Sequence, residues 1–171
     1  MDFFETVKKR RSVRKYLPEP VPREMLEKIV AVGAEAPTGC NMQTKQYVIV
    51  DDDVVMDKLR PVSAALTGAP AAIVLLIEPK AAKYGEFWMQ DASAAMSNML
   101  LAAVAQGLAA CWVEGAVRRD EDRLRKMLAV PDHLRVWSLM PVGKAAETPA
   151  RPPKPLPAEV THYNRFGEKS G

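Results

Sequence analysis

A chain of 171 residues with 48% hydrophobic and 26% charged residues has the composition of a folded globular protein, which excludes a disordered or collagen-like chain. It is long enough for one well-packed core, and we expect one domain over 1–171. The net charge of +3 suits a small anionic ligand, but it is too small to indicate nucleic-acid binding unless the basic residues cluster.

Other features of the sequence argue against metal, secreted and membrane proteins. Cys40, Cys111, His133 and His162 have no metal-ligand spacing, so we expect no metal site and no disulfide framework. The N-terminal charges follow a short apolar run, the reverse of a secretory signal, and we expect the protein in the cytoplasm. The longest apolar stretch, 92–113, contains polar residues, so it predicts a buried helix and strand and no membrane contact.

The first elements in chain order are two helices separated by an extended segment. Residues 3–7 predict a short helix, and the prolines of 18–22 predict extended backbone. Apolar residues at helical spacing over 22–33 predict an amphipathic helix. The polar, turn-rich residues 37–45 predict a loop that leads into a strand over 47–50.

Further helices and strands follow, without strict alternation. Helices are predicted over 54–66, with an interruption at Pro61, over 91–106 and over 120–128, and strands over 71–77, 109–113 and 136–142. The strand over 71–77 is apolar throughout, which is typical of a buried central strand. The helix over 91–106 is apolar on nearly all sides, which favours packing on more than one face and makes a partner chain plausible.

The prolines after Ala145 predict an extended tail over 145–171. A frayed terminus is one interpretation. It would leave Val160, Tyr163 and Phe166 as uncovered apolar surface, however, and docking on another subunit would cover them.

The basic run over 8–15 contains six cations and the hydroxyl of Ser12. Guanidinium groups and a hydroxyl are suited to the oxygens of a phosphate monoester. By itself the run has three interpretations: solvated surface, a site for a phosphate-bearing ligand, or a nucleic-acid-binding patch.

The residues Arg10, Ser12, Arg14 and Tyr16 form the pattern R-x-S-x-[RK]-x-[FY] after a helix. Together with three later segments, this pattern resembles the nitroreductase family of flavoproteins over nearly the whole chain. The resemblance implies that Arg10 and Ser12 bind the phosphate side of FMN, with Arg11 beside them. It also implies that Arg14 approaches N1 and O2 of the isoalloxazine ring.

The second segment, 36–43, is similar to the family's A-P-S-x-x-N-x-Q loop. The resemblance implies that this loop completes the flavin site of the neighbouring subunit, with the cofactor-binding residues Pro37, Thr38, Gly39, Asn41 and Gln43. The sequence departs from the family at Lys45, where an aromatic residue is common. A helix-to-strand loop without a ligand is the other interpretation.

The third segment, 106–115, is similar to the family's G-L-G-[ST]-x-W/P-x-E-G stretch. The resemblance implies cofactor binding by Trp112, Val113, Glu114 and Gly115, with backbone N–H groups of the last two at the flavin N5 and O4 edge. Glu114 and Arg14 would assist the chemistry, and no side chain is assigned as a base. Core filling by Trp112 and a solvated carboxylate at Glu114 remain alternatives, while a buried, small apolar role is expected for Cys111.

The fourth segment, 140–151, is similar to the family's strand-P-x-G-x-x-x-E-x-P-x-R ending. The resemblance implies that a cation near its end joins the phosphate site. Arg151 is the first choice and Lys154 the second.

The family resemblance implies an α+β fold with a mixed, mostly antiparallel central sheet flanked by helices. It implies a homodimer with an FMN at each subunit interface and the 145–171 tail wrapped around the partner. NADH or NADPH would reduce the flavin at N5, and a nitroaromatic, quinone or similar acceptor would then be reduced in a ping-pong order. Two alternatives stay open: a flavin-dependent enzyme of the same fold for a dedicated metabolite, and a non-catalytic nucleotide or nucleic-acid module that uses 8–15.

Overall fold

The computed structural model describes residues 2–81 and 85–169, so the last two residues of the predicted tail lie outside the described part. The helices are α1 (Phe3–Lys9), α2 (Arg23–Ala34), α3 (Asp53–Leu59), α4 (Trp88–Ala105), α5 (Gly115–Arg119), α6 (Glu121–Met127) and α7 (Pro157–Val160). The strands are β1 (Lys45–Val50), β2 (Ala71–Ile77), β3 (Ala109–Ala110) and β4 (Arg135–Gly143).

The four strands form one sheet in the order β1-β2-β4-β3, and all three strand pairs are antiparallel. A parallel bridge between Ser12 and Ala110 adds the residues after α1 to the β3 edge. The predicted fold class, helices around a mostly antiparallel sheet, is confirmed, and within the described residues its parallel part is this one bridge.

Strand β2 is buried along its whole length, as its apolar sequence predicts. Because side chains alternate across a sheet, Ile73 and Leu75 pack on the face covered by α2 and α4, while Val74 and Leu76 pack on the face covered by α3, α5 and α6. The core therefore consists of two apolar clusters with the sheet between them.

Helix ends follow local capping signals. The Asp2 carboxylate accepts hydrogen bonds from the backbone N–H groups of Phe4 and Glu5 at the start of α1, and Asp52 caps α3 through Val55 N at 3.0 Å. Helix α3 ends at Leu59, whereas a helical pattern continues to Leu66 in the sequence. The residues between them form short 3-10 turns, because proline at position 61 lacks the N–H that a continuing α-helix uses.

The strand predicted over 109–113 is shorter in the structure. Ala109 pairs with Gly143, and Val113 pairs with Leu139 in the same register, but the ladder is broken between them. The residue opposite Cys111 in this register is Pro141, which has no N–H to donate. The chain thus stays extended to Val113 while the regular strand ends early.

The sequence did not predict the start of α4 or the existence of α5. Helix α4 begins at Trp88, three residues before the predicted start, and Trp88 packs edge-on against Trp137 with ring centroids 5.0 Å apart. The five-residue helix α5 directly follows Glu114. It is too short to produce a helical periodicity in the sequence.

Candidate functional site

The residues after α1 are fixed as an additional edge strand. Val13 N donates to Ala110 O at 3.1 Å, and Tyr16 pairs with Ala145. Burial of Val13 and Tyr16 anchors the segment, and the Tyr16 hydroxyl donates to Val13 O at 2.6 Å. Because side chains alternate along extended backbone, Arg10, Ser12 and Arg14 share the face opposite to Val13.

This face lines a cleft of about 480 Å³ between the end of α1 and the tail. Its walls come from two stretches of the sequence, 7–14 and 149–154: Val7, Lys8, Arg10, Arg11, Ser12, Arg14, Pro149, Ala150, Arg151, Pro152 and Lys154. Six of these residues are cationic and none is acidic. Such a surface attracts an anion with several oxygens, as a phosphate has.

Arg11 is committed to the helix end. Its Nη1 donates to the carbonyl oxygens of Lys8 and Arg10, at 2.6 and 2.8 Å. These bonds satisfy carbonyls at the C-terminus of α1, where a cation is also favoured by the helix dipole. Arg11 therefore shapes the cleft, and this cap limits its freedom to reach a ligand there.

Arg14 is positioned from the tail. Its backbone N donates to Glu147 Oε1 at 2.8 Å, and its Nη1 donates to Ser12 O at 3.2 Å. Glu147 thereby connects the segment after β4 to the basic segment and keeps the guanidinium of Arg14 at the edge of the cleft.

The thiol of Cys111 lies beneath these residues and is 2% exposed. Burial raises the pKa of the Cys111 thiol, while the charge of Arg14, a hydrogen bond with Ser12 and the charge of Arg10 act in the opposite direction. Cys111 is thus buried as expected, and Arg10, Ser12 and Arg14 lie close enough to influence its thiol.

Both tail cations that the sequence left as alternatives line the cleft. Arg151 and Lys154 are exposed and lie in the cleft wall with Arg10 and Ser12. The tail brings them there because Ala146 N donates to Lys15 O at 2.9 Å and starts the tail alongside the basic segment.

The loop over 37–43 lies against the first turn of α4. Gly39 N donates to Asp91 Oδ1 at 2.9 Å, and Gln43 Nε2 donates to Asn41 Oδ1 at 2.9 Å. Pro37 is exposed, and the hydroxyl of Thr38 is buried without a hydrogen-bond partner among the described residues.

The loop and the cleft lie at opposite ends of α4. The loop contacts Asp91 in the first turn, whereas Lys9 and Arg11 share a surface hollow with Val104 and Gly107 at the last turn. Asp91 and Val104 are thirteen residues apart in this helix, which separates the two contacts by about 20 Å along its axis. One chain therefore does not bring the loop to its own cleft.

The segment 112–115 runs from the core to the surface. Val113 is buried and exchanges backbone hydrogen bonds of 2.9 and 2.8 Å with Leu139. Trp112 is half-buried against the α2 and α4 face, and its Nε1 has no partner within the described part of the chain. Glu114 is half-buried, with Oε1 3.9 Å from Nη1 of Arg118.

Gly115 is exposed at the start of α5. A Cβ added to it would come no closer than 3.9 Å to Arg119, so the contacts of this chain do not require glycine here. The space beside Cα of Gly115 is thus open, and a planar ligand can approach the backbone there.

The sequence did not single out Asp91 as a site residue. No local signal indicates it, because its partner Gly39 is 52 residues away and the surrounding helix is predominantly apolar. Lys8 is the other site residue that the sequence did not single out. It belongs to the basic run, but its place in the cleft follows from the packing of the tail.

Residues 2–81 and 85–169 hold no cluster of histidine, cysteine and carboxylate side chains that would ligate a metal ion. They form no helix that is long and apolar enough to cross a membrane.

The fold and the sequence together define the class of protein. Residues 7–67 and 62–144 match the nitroreductase family. A provisionally named NADH dehydrogenase/NAD(P)H nitroreductase of Methanothermobacter thermautotrophicus is 34% identical over 155 residues, which cover 87% of this chain and 80% of that protein. The chain belongs to the nitroreductase family, and the family predicted from its motifs is confirmed.

Solved structures agree with this assignment. A provisionally named nitroreductase of Desulfovibrio desulfuricans in complex with FMN has a TM-score of 0.82 and 30% identity, covering 95% of this chain and 96% of that one. An FMN-dependent nitroreductase of Clostridium difficile has a TM-score of 0.83 and 28% identity, covering 96% of this chain and all of that one, 100%. The predicted enzyme class, an oxidoreductase, agrees with these relatives.

Proposed function

We propose that this protein is an FMN-dependent oxidoreductase that transfers hydride from NADH or NADPH to a nitroaromatic, quinone or similar acceptor. The observation that carries the proposal is the cleft between α1 and the tail, whose lining contains six cations, the Ser12 hydroxyl and no acid. The FMN and the NAD(P)H in the names of the related proteins support the cofactors.

The cleft residues fit the phosphate of FMN. Arg10 and Ser12 lie on one face of the basic segment, and Arg151 and Lys154 face them from the tail. A phosphate monoester with close to two negative charges would receive charge-assisted hydrogen bonds from both sides. These cations repel one another when no anion lies between them, which adds to the driving force for binding.

Bound FMN would supply the hydride-accepting and hydride-donating chemistry. Arg14 would place a cation beside the ring and favour its reduced, negatively charged form. The N–H groups of Glu114 and Gly115 precede the first backbone bond of α5, from Arg118 N to Glu114 O, so both remain available as donors to a ligand. No side-chain base is assigned.

The proposed assembly is a homodimer with a shared site. The loop over 37–43 and the cleft lie at opposite ends of α4, so the loop of one chain would complete the site of the other. The tail supports this arrangement, because it exposes several large apolar side chains to solvent: Leu156, Val160, Tyr163 and Phe166. The tail over 145–171 would wrap the partner as part of a single domain.

The first test is the visible spectrum of the purified protein. We expect flavin absorbance, or its recovery when FMN is added to the apoprotein. Arg10→Ala and Ser12→Ala should weaken FMN about 10- to 100-fold, because a charge-assisted hydrogen bond contributes about 1.5–3 kcal/mol. Riboflavin, which has no phosphate, should bind these variants nearly as well as the wild type.

Arg23→Ala is the matched control, since Arg23 lies outside the cleft and pairs with Asp51 at 2.7 Å. A colourless protein that cannot be reconstituted would refute the cofactor, and equal losses for FMN and riboflavin would refute the phosphate site.

A turnover screen with nitroaromatics, quinones and enones decides the acceptor, and failure with all of them would favour a dedicated metabolite.

A further inference from the structure

The loop over 37–43 contains two adjacent residues in an unusual backbone conformation. Cys40 and Asn41 have φ values of 53° and 55°, in the left-handed region that disfavours non-glycine residues. Asparagine tolerates this region better than cysteine does. The loop therefore needs contacts from outside to keep its shape.

Two oppositely charged side chains from different elements provide these contacts. Asp91 in the first turn of α4 accepts a hydrogen bond from Gly39 N at 2.9 Å. Lys45 at the start of β1 donates from Nζ to Ala36 O at 3.0 Å. The two bonds hold the loop at its start and at the residue just before the left-handed pair.

Both side chains are withdrawn from solvent. Asp91 is 6% exposed and Lys45 is half-buried. Burial lowers the pKa of Lys45, and the charge of Asp91 acts against that effect. Lys45 also donates to a carbonyl just beyond the C-terminus of α2, where a cation is favoured by the helix dipole.

Each of the two side chains contributes one charge-assisted hydrogen bond to the loop backbone, Lys45 as the donor and Asp91 as the acceptor. An apolar residue at position 45 cannot donate a charge-assisted bond to Ala36 O. The contribution of the pair is therefore expected in the conformation of the loop more than in the stability of the fold.

The end of the loop is oriented by a third side chain. Gln43 Nε2 donates to both the backbone oxygen and Oδ1 of Asn41, at 3.1 and 2.9 Å. Because Oδ1 accepts this bond, the amide N–H groups of Asn41 are left to donate to a ligand.

We infer that Lys45 and Asp91 are positioning residues that hold the left-handed turn at Cys40 and Asn41 in the geometry with which the loop contacts FMN. The inference rests on the proposed function, in which the loop completes the flavin site of the partner subunit. Neither side chain needs to touch the flavin itself.

The test measures loop order and flavin affinity separately. Hydrogen exchange of the peptide over 36–43, read by mass spectrometry on the full-length apoprotein, reports the loop without any flavin. We expect Lys45→Met and Asp91→Ala to speed exchange of this peptide and to weaken FMN, each about tenfold, because each removes one charge-assisted bond. The melting temperature of the apoprotein should change by only a few degrees.

Asp91→Asn is the conservative variant, because its Oδ1 can still accept the bond from Gly39 N. It should retain most of the slow exchange and most of the FMN affinity. Lys58→Met, an exposed lysine in the last turn of α3, is the matched control and should behave as the wild type.

The inference alone would be overturned by wild-type exchange and affinity in Lys45→Met, or by equal losses in Asp91→Asn and Asp91→Ala. Faster exchange with unchanged FMN affinity would likewise overturn it, since the loop would then not serve the flavin. A wild-type protein that binds no FMN would overturn the proposed function and this inference together, and the apoprotein exchange data would still show whether the two side chains hold the loop.

Discussion

Gly143, at the end of β4, lies between two other segments of the chain. A Cβ at this position would lie 2.7 Å from Cδ of Pro70 and 3.1 Å from Cδ1 of Tyr16. Tyr16 is itself buried and bonded to Val13 O, so neither neighbour can move freely. Gly143 thus allows the basic segment to pack closely against the sheet.

Gly143→Ala should destabilise the protein by about 1–3 kcal/mol, because the added methyl group overpacks rigid neighbours. Gly33→Ala is the matched comparison: its Cβ would lie 2.6 Å from Cγ of Met99, a flexible side chain that can move away. Alanine also favours helix over glycine inside α2, so the loss should be smaller there. Urea unfolding of both variants measures the difference, and a larger loss at Gly33 would contradict the argument.

At the scale of elements, the sheet holds α6 through a charged contact. Glu121 at the start of α6 accepts hydrogen bonds from Nε and Nη2 of Arg135, at 3.0 and 2.6 Å, and from Val136 N at 3.2 Å. Burial alone would raise the pKa of Glu121, but the bonds and charge of Arg135 outweigh it, and the net pKa lies below the ordinary value of 4.5.

Because the folded pKa of Glu121 is lowered, its contribution to stability is complete above the unfolded pKa of 4.5 and is lost as the pH falls through the folded pKa. Glu121→Gln should cost about 1–2 kcal/mol at pH 7, discounted for the exposure of Arg135. The deficit should shrink as the pH falls below 4.5. Urea unfolding at several pH values measures it.

Glu24→Gln is the control, because Glu24 is an exposed partner of Lys28 on α2 and should show little change at any pH. A deficit of Glu121→Gln that stays constant with pH would contradict the ionised pair.

At the scale of the whole molecule, the proposed shared site makes a prediction about mixed dimers. Arg10→Ala damages the cleft and Asn41→Ala damages the loop, so neither homodimer should load FMN at a concentration that saturates the wild type. In an equal, randomly assembled mixture, each heterodimer has one intact site, which restores about one quarter of all sites. Flavin absorbance after co-refolding measures the recovery, and no recovery would contradict sharing between subunits.

The tail is the second feature at this scale. Truncation after Lys144 should give monomers of the apoprotein on size-exclusion chromatography, because the tail would no longer cover the partner. Replacing the exposed Phe166, which is 92% exposed, by serine in the full chain should weaken the dimer in the same direction. An unchanged dimer in the truncated protein would contradict the wrapping tail.

Much of the fold was accessible from the sequence. The apolar run 71–77 predicted β2, and the helical spacing over 22–33 predicted α2, because burial imposes these periods on neighbouring residues. The early break in β3 was not predicted, since it depends on the residue that the sheet register places opposite Cys111. That partner is Pro141, thirty positions away in the sequence.

The sequence itself determined the family and the residue types of the candidate site. Arg10, Ser12 and Arg14 lie within five residues on one face of an extended segment. Only the tertiary structure decided that Arg151 and Lys154 both reach their cleft, and that Glu147 bonds to Arg14 across 133 positions. The tertiary structure also decided that the loop over 37–43 lies at the end of α4 opposite to the cleft. The physical reason is range: local patterns arise from neighbours a few residues apart, whereas the meeting of distant segments is determined by packing of the whole chain.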